Sequence, residues 1–417
     1  MSAVVLSWVG TAYTLAAAVF LVPFGRLADI YGRKKIYLYG MIVFSTASLL
    51  SVLATNPFFL ILTRIINGAG AAMLFATGIA MVSSVFPSNE RGKALGINVS
   101  MTYLGLTAGP VLGGLLVRCF GWRSIFLLNV PLGIIVVIFI LTLIKSEWVQ
   151  SNGEHFDRGG SFLYGFGVTG LIYGLTKLTS ESGMVLTVAG IVLLFFFVIY
   201  EQKKPFPVLH INLFRNNPVF LMSNVAAFIN YSATFATGFL LSLYLQFVKG
   251  FPPDKAGMIL IAQPVVMALF STFAGKMSDR IEPRYVASTG MALTAIGLLF
   301  FTVIDSSTSL GHIIVGLLVM GMGLALFSSP NTNAIMGSVG HRDYGVASSM
   351  VGTMRLLGQM FSMGISMLIF SIIIGKAAIE PQNIALFING VRLIFIVFEI
   401  LCLFGIGASM ARGKMRR

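Results

Sequence analysis

Charge is scarce in this sequence. Only 10% of its 417 residues are Asp, Glu, Lys or Arg, where about a quarter is usual for a soluble domain, so an ordinary water-soluble globule is excluded. Cysteine is rarer still: Cys119 and Cys402 stand in or beside different apolar runs far apart in the chain, and neither a disulfide framework nor a metal site is implied. The four histidines, at 155, 210, 312 and 341, have no ligand spacing, so no metal or cofactor is expected. A phosphate-cradling loop, a nucleophile elbow and an ATP motif are also missing. That argues against an enzyme and against a primary pump, and leaves an ion gradient as the energy source for any transport. A cleavable leader is not expected either, because the first apolar run ends in a basic turn rather than in a small-residue cleavage site.

What is present in quantity is apolar. Hydrophobic residues make up 57% of the chain, and its mean hydropathy is +0.91. Runs of about 20 apolar residues, the length that crosses a bilayer as a helix, recur from end to end. Lipid offers no partner to an open backbone, and the runs are too long for barrel strands, so the expected fold class is an all-α polytopic membrane protein. Thirteen spans are expected, the first at 4–24 and the last at 388–410. Setting the turn after the first span on the cytoplasmic side puts nineteen of the 28 Lys and Arg there. Seven fall outside (Arg118, Arg123, Lys177, Lys249, Lys255, Lys376 and Arg392), and Arg64 and Arg355 fall within spans. This bias supports a multi-pass protein of the cell membrane with a cytoplasmic C-terminus. The formal charge of +14 is then membrane anchoring, and a nucleic-acid partner is not expected.

The chain repeats itself. "GRLADIYGRKK", Gly25 to Lys35, has a second copy in "GKMSDRIEPR", Gly275 to Arg284, with Gly275 matching Gly25 and Asp279 matching Asp29. Further on, Gly92 matches Gly345 and Gly105 matches Gly358. Two halves of this kind, each with a basic loop, are how many secondary transporters are built. The expected division is a five-helix N-terminal bundle at 1–144, a loop, two-helix insertion and linker at 145–217, a six-helix C-terminal bundle at 218–411, and a basic tail at 412–417.

Four stretches resemble the major facilitator superfamily, specifically its 14-helix drug:proton antiporter branch of the EmrB/QacA type. "GRLADIYGRKK" is similar to the family's loop motif between its second and third helices, and "RIINGAGAA", from Arg64, to the fourth-helix motif. "GLTAGPVLGG", Gly105 to Gly114, resembles the antiporter motif of the fifth helix, and "GWRSIFLLNVPLG" the turn into the sixth; the weaker "GTMRLLGQ" also fits the branch. The resemblance implies a major facilitator fold, two pseudo-symmetric bundles with two extra central helices. It also implies that the family's first helix, which usually carries an Asp linked to proton coupling, is not among these residues, and a start upstream of Met1 is the favoured expectation.

Each motif has a chemistry of its own. Gly25 and Gly32 permit a tight reversal and close helix approach. Asp29 suits a helix N-terminus, and Arg33, four residues on, can pair with it; with Gly275, Asp279 and Arg280 these are the expected gating loops. Arg64 sits within a span and must face a cavity or a partner; a relay role is set against a structural Arg held by carbonyls and Asn67. Gly105, Gly109 and Gly113 form one small-residue stripe, and Pro110 and Gly114 suggest a kinked, moving contact between halves. Glu399 is the one acidic residue near mid-membrane, a proton-carrier candidate. Asn67, Asn224, Asn230, Tyr231, Gln263, Arg355 and Gln359 are candidate cavity residues.

The function expected from these readings is secondary transport, moving lipophilic or cationic small molecules outward against protons. A proton-coupled transporter of a defined metabolite or organic anion, and a non-transporting sensor of the same fold, are the rivals. Periplasmic adaptor proteins are left open as partners.

Overall fold

The computed structural model describes residues 3–149, 151, 153–178, 180–375 and 383–414. Lys376 and residues 415–417 of the basic tail, counted above, lie outside the described residues. Every regular element among the described residues is helical. The membrane helices of the first part are α1 (Ala3–Tyr31), α2 (Arg33–Val52), α3 (Pro57–Val85), α4 (Arg91–Phe120) and α5 (Arg123–Leu143). A hairpin of α6 (Arg158–Thr176) and α7 (Glu181–Glu201) follows, then the single turn α8 (Asn212–Arg215). The next span is broken into α9 (Pro218–Thr234), α10 (Thr237–Leu243) and a π-turn at Tyr244–Val248, and the one after it into α11 (Pro253–Leu260) and α12 (Ala262–Arg280). The bundle closes with α13 (Pro283–Thr302), α14 (Leu310–Gly337), α15 (Tyr344–Ile373) and α16 (Ile384–Ala411).

Local chemistry sets many of the starts. The Asn56 side chain accepts from Phe59 N at 2.8 Å ahead of Pro57, and Asn217 accepts from Phe220 N at 3.0 Å ahead of Pro218. In both, a capping amide precedes a proline that has no N–H to lose. Asp157 caps α6 and Ser180 caps α7 in the same way.

Twelve spans among the described residues are long and apolar enough to cross a membrane. The thirteenth expected one, α6, is a regular helix of 19 residues, but its many glycines dilute its hydropathy. The expected loop at 25–36 also shrinks: α1 continues through Asp29 to Tyr31, and Gly32 alone, at φ 112°, breaks the helix before α2 begins. One left-handed glycine suffices for the reversal because Arg33 immediately pairs back to Asp29.

α1 and α2 pack on α3, α2 also on α5, and α13 packs on α14 and α16, while α9 packs on α15 and α16. These two groups meet along two long seams, α4 against α12 and α1 against α15. One hydrophobic core lies wholly in the later group, around Leu240, Phe301, Leu317 and Phe395. The other straddles the α1–α15 seam: Ala18 and Val22 of α1, Tyr164 and Val168 of α6, Phe197 of α7, and Val346 and Met350 of α15 share it. The α6–α7 hairpin therefore rests against the seam, with the Tyr164 hydroxyl donating to Ala18 O at 3.2 Å.

Candidate functional site

The repeated Asp residues, 250 positions apart, do the same thing in space. Asp29, fully buried near the C-terminal end of α1, accepts hydrogen bonds from Gly345 N at 2.9 Å and Val346 N at 3.1 Å, in the first turn of α15. Asp279, near the end of α12, accepts from Gly92 N at 2.7 Å and Lys93 N at 2.8 Å, in the first turn of α4. Each carboxylate thus caps a helix of the opposite group, at a terminus where free N–H groups and the helix dipole favour negative charge. The two repeats found separately in the sequence, the basic turns and the Gly92/Gly345 pair, are partners in one crossed arrangement.

Small residues make this approach possible. A β-carbon on Gly25 would meet Gly345 O at 2.6 Å and clash with Ser349 Oγ; one on Gly92 would collide with Gly275 O, and one on Gly96 would meet Ser271 O at 2.6 Å. Ser100 Oγ and Thr272 Oγ1, 3.0 Å apart, end the polar part of the α4–α12 seam. Farther along α4 the packing stops: a β-carbon on Gly105, Gly109, Gly113 or Gly114 would find nothing within 4 Å, nor would one on Gly10 of α1. The close approach of α4 and α12 lies at the end that carries the basic turns.

The two caps are not equally furnished. Arg33 donates to Asp29 Oδ1 through Nε at 3.1 Å and Nη2 at 2.7 Å, to Ser84 Oγ at 2.7 Å and to His341 O. Its guanidinium lies 5.2 Å from the centre of the buried Tyr344 ring, and that of Arg91 5.6 Å from it. At Asp279 the support is amide and hydroxyl: Asn333 Nδ2 donates to Ser278 Oγ at 3.0 Å and reaches Asp279 Oδ1 at 3.5 Å. Arg280, expected by analogy with Arg33, is exposed, and the position equivalent to Arg33 is Pro283.

Sequence reading missed the strap that lies across this closure. In the loop 144–157, Glu147 accepts from Lys34 N at 2.9 Å and Lys35 N at 3.2 Å, capping α2. Trp148 O accepts from Arg33 N at 3.2 Å, and Ser151 N donates to Asp29 O at 3.1 Å. Glu154 then pairs with Arg26 of α1 on one side and Arg342, just before α15, on the other. The available signal was scarcity: Glu147 and Glu154 belong to a set of only 14 acidic residues and lie beside the basic turn's own loop end.

The other expected site residues scatter. Arg64 donates to Val9 O at 3.1 Å and Asn67 Oδ1 at 2.8 Å, with the Tyr13 ring centre 4.4 Å away. Asn67, expected in a cavity, is instead buried in the α2–α3 seam, where its amide donates to Phe44 O and Ser48 Oγ. Asn224 and Asn230 are also buried, Asn224 bonding back to Phe220 O at 2.8 Å and Asn230 leaving both amide atoms without a partner among the described residues. Gln263, Tyr231, Arg355 and Gln359 are half-buried. Glu399 is 7% exposed in α16, with Oε2 unpartnered among the described residues. Arg392, on the same helix, donates to Ile304 O and Val303 O beyond the end of α13, so it does not serve Glu399. A cavity of ≈ 730 Å³ lies between α2, α3, α4 and α5 near Tyr37, Asn98 and Lys145, and one of ≈ 410 Å³ between α1 and α6 near Phe20 and Phe162; neither contains Asp29, Arg355 or Glu399.

Comparison with known proteins decides the family. The profile described as Major Facilitator Superfamily matches residues 1–262 and 223–412. The chain belongs to this superfamily. Among curated members it is 31% identical over 359 residues to the riboflavin transporter RibZ of Clostridioides difficile, covering 86% of this chain and 78% of that protein. It is also 31% identical to the multidrug resistance protein Stp of Mycobacterium tuberculosis, over 85% of this chain and 66% of Stp. The structure of the human organic anion transporter MFSD10 (TETRAN) superposes with a TM-score of 0.70 at 13% identity, covering 96% of this chain and 83% of that one, which extends the likeness to the fold. The fold class expected from the sequence, helical and of major facilitator type, is the one found, and the chain is a major facilitator transporter.

Proposed function

We propose that the protein is a secondary active exporter of the 14-helix drug:proton antiporter branch, moving small molecules outward against protons by alternating access. The observation that carries this reading is the crossed pair of carboxylate caps: two latches, related by the internal repeat, join the groups at the basic end. In this reading the basic end is cytoplasmic, as the distribution of Lys and Arg favours, the C-terminus is cytoplasmic, and the conformation is closed toward the cytoplasm. The bundles divide at 144 and 218, with the α6–α7 hairpin as the pair of extra central helices. Stp and its multidrug-named relatives support efflux, whereas the name of RibZ favours a second reading, transport of a defined metabolite.

Proton movement is assigned to Glu399, with Arg64 as a relay. The test is substrate export from proteoliposomes under an imposed proton gradient. Asp29→Asn should lower the rate by about tenfold or more, because hydrogen bonds to a charged group are worth about 1.5–3 kcal/mol, while membrane insertion stays normal. Wild-type export by that variant would remove the latch from the mechanism. Glu399→Gln should flatten the dependence of export on pH, and an unaltered profile would take Glu399 off the proton path.

A further inference from the structure

Given the transporter reading, the structure also bears on what is carried. Arg355 lies on α15 about 17 Å along the helix from Tyr344 by helical rise, near the middle of its span. Its side chain is half-buried, and among the described residues it makes no hydrogen bond and no ion pair. Arg64, by contrast, is already engaged with a carbonyl and Asn67. Around Arg355 stand aromatic and amide groups from both halves. The Tyr231 ring of α9 is 5.7 Å from its guanidinium carbon, and Tyr103 of α4 packs with Tyr231 against the later core. Gln359, one turn on and on the same face, is half-buried and also without a hydrogen bond among the described residues.

Counter-charge near Arg355 is scarce among the described residues: the one acidic residue of α1, Asp29, is held at the far end by Arg33 and the first N–H groups of α15. The sequences of α4, α9, α10, α14 and α15 contain no Asp or Glu at all, and Glu399 of α16 is buried within the packed core. A guanidinium with five donors at mid-membrane is costly unless a partner is supplied. We propose that Arg355, Gln359, Tyr231 and Tyr103 form a substrate subsite that takes planar aromatic anions, the acidic group held by the guanidinium and the ring laid against the phenols. This departs from the lipophilic cations expected from the sequence, since a cation placed here would meet the unpaired Arg355 guanidinium.

The test compares two dyes that share a xanthene ring and differ in charge, carboxyfluorescein and rhodamine 6G. Binding to the purified full chain is read by fluorescence anisotropy, and export by proteoliposome assay. Wild type should bind carboxyfluorescein at least about tenfold more tightly than rhodamine 6G. Arg355→Gln should weaken carboxyfluorescein by about tenfold or more and leave rhodamine 6G no weaker, as loss of a charge-assisted hydrogen bond predicts; Arg355→Lys, which keeps the charge, should restore part of the loss. A wild-type preference for the cation, binding of neither dye, or equal loss of both dyes in Arg355→Gln and Arg355→Lys would each overturn the subsite. Anion binding as described without gradient-driven movement would sink the exporter reading and leave the subsite standing. Gradient-driven export of rhodamine 6G indifferent to Arg355 would do the reverse.

Discussion

At the scale of single residues, the unequal environments of a few carboxylates and glycines make separable predictions. Glu154 has two cationic partners, but they differ: Arg26 is 1% exposed, whereas the Arg342 side chain is 54% exposed. Glu154→Gln would leave Arg26 buried with its ion-pair partner gone. Breaking a buried pair from one side costs about 3–5 kcal/mol, while an exposed pair is worth about 0–1 kcal/mol. Glu154→Gln should therefore lower the thermal midpoint of the purified protein clearly and Arg342→Gln hardly at all; equal effects would mean that the strap is held by something other than charge. Gly25 allows a sharper test. Gly25→Val would force Ser349 and the α15 backbone away, an overpacking of about 1–3 kcal/mol, whereas Gly113→Val meets only open space. The first should weaken the closed seam, measured as faster reaction of a cysteine placed at Ser349, and the second should not.

Among the elements, the loop 144–157 and the hairpin it leads into have the largest structural consequence. They bind to the basic turn, to α2 through Glu147 and to the second group through Glu154, while α6 leans on both α1 and α15. This much was only partly legible in the sequence. Span positions were readable because apolar runs, capping residues and prolines are local signals. The crossed pairing could not be read, although both halves of it were visible as repeats, because an offset of 250 says which residues are equivalent and not which of them touch. The strap escaped because Glu147 and Glu154 sit in a loop with no periodicity to mark them. Asn67 was misjudged for a general reason: a polar residue in an apolar span faces either a cavity or a neighbouring helix, and composition does not distinguish the two. The glycine stripe of α4 was assigned a contact between halves, and in this conformation that contact belongs to Gly92 and Gly96, nearer the helix start.

For the whole molecule, the arrangement describes one state of a two-state device. On the proposed reading, the joined basic ends leave the space between the halves facing the other side of the membrane. Two equivalent latches imply that neither alone sets the balance, so Asp29→Asn and Asp279→Asn should each shift the population part of the way, and the double variant further. Arg33 and the strap reinforce the Asp29 latch, so Arg33→Gln should shift the population in the same direction as Asp29→Asn; an unchanged population in Arg33→Gln would show that the strap acts elsewhere.

If crossed carboxylate caps hold the basic end shut, a distance measured across that end reports it. Spin labels on the exposed residues Lys35 and Arg280, in a background with the exposed Cys119 replaced by serine, would report it by double electron–electron resonance in lipid. The wild type should give a narrow distribution at short distance, and the Asp29→Asn, Asp279→Asn double variant a second population at longer distance. An unchanged distribution in the double variant would contradict the claim.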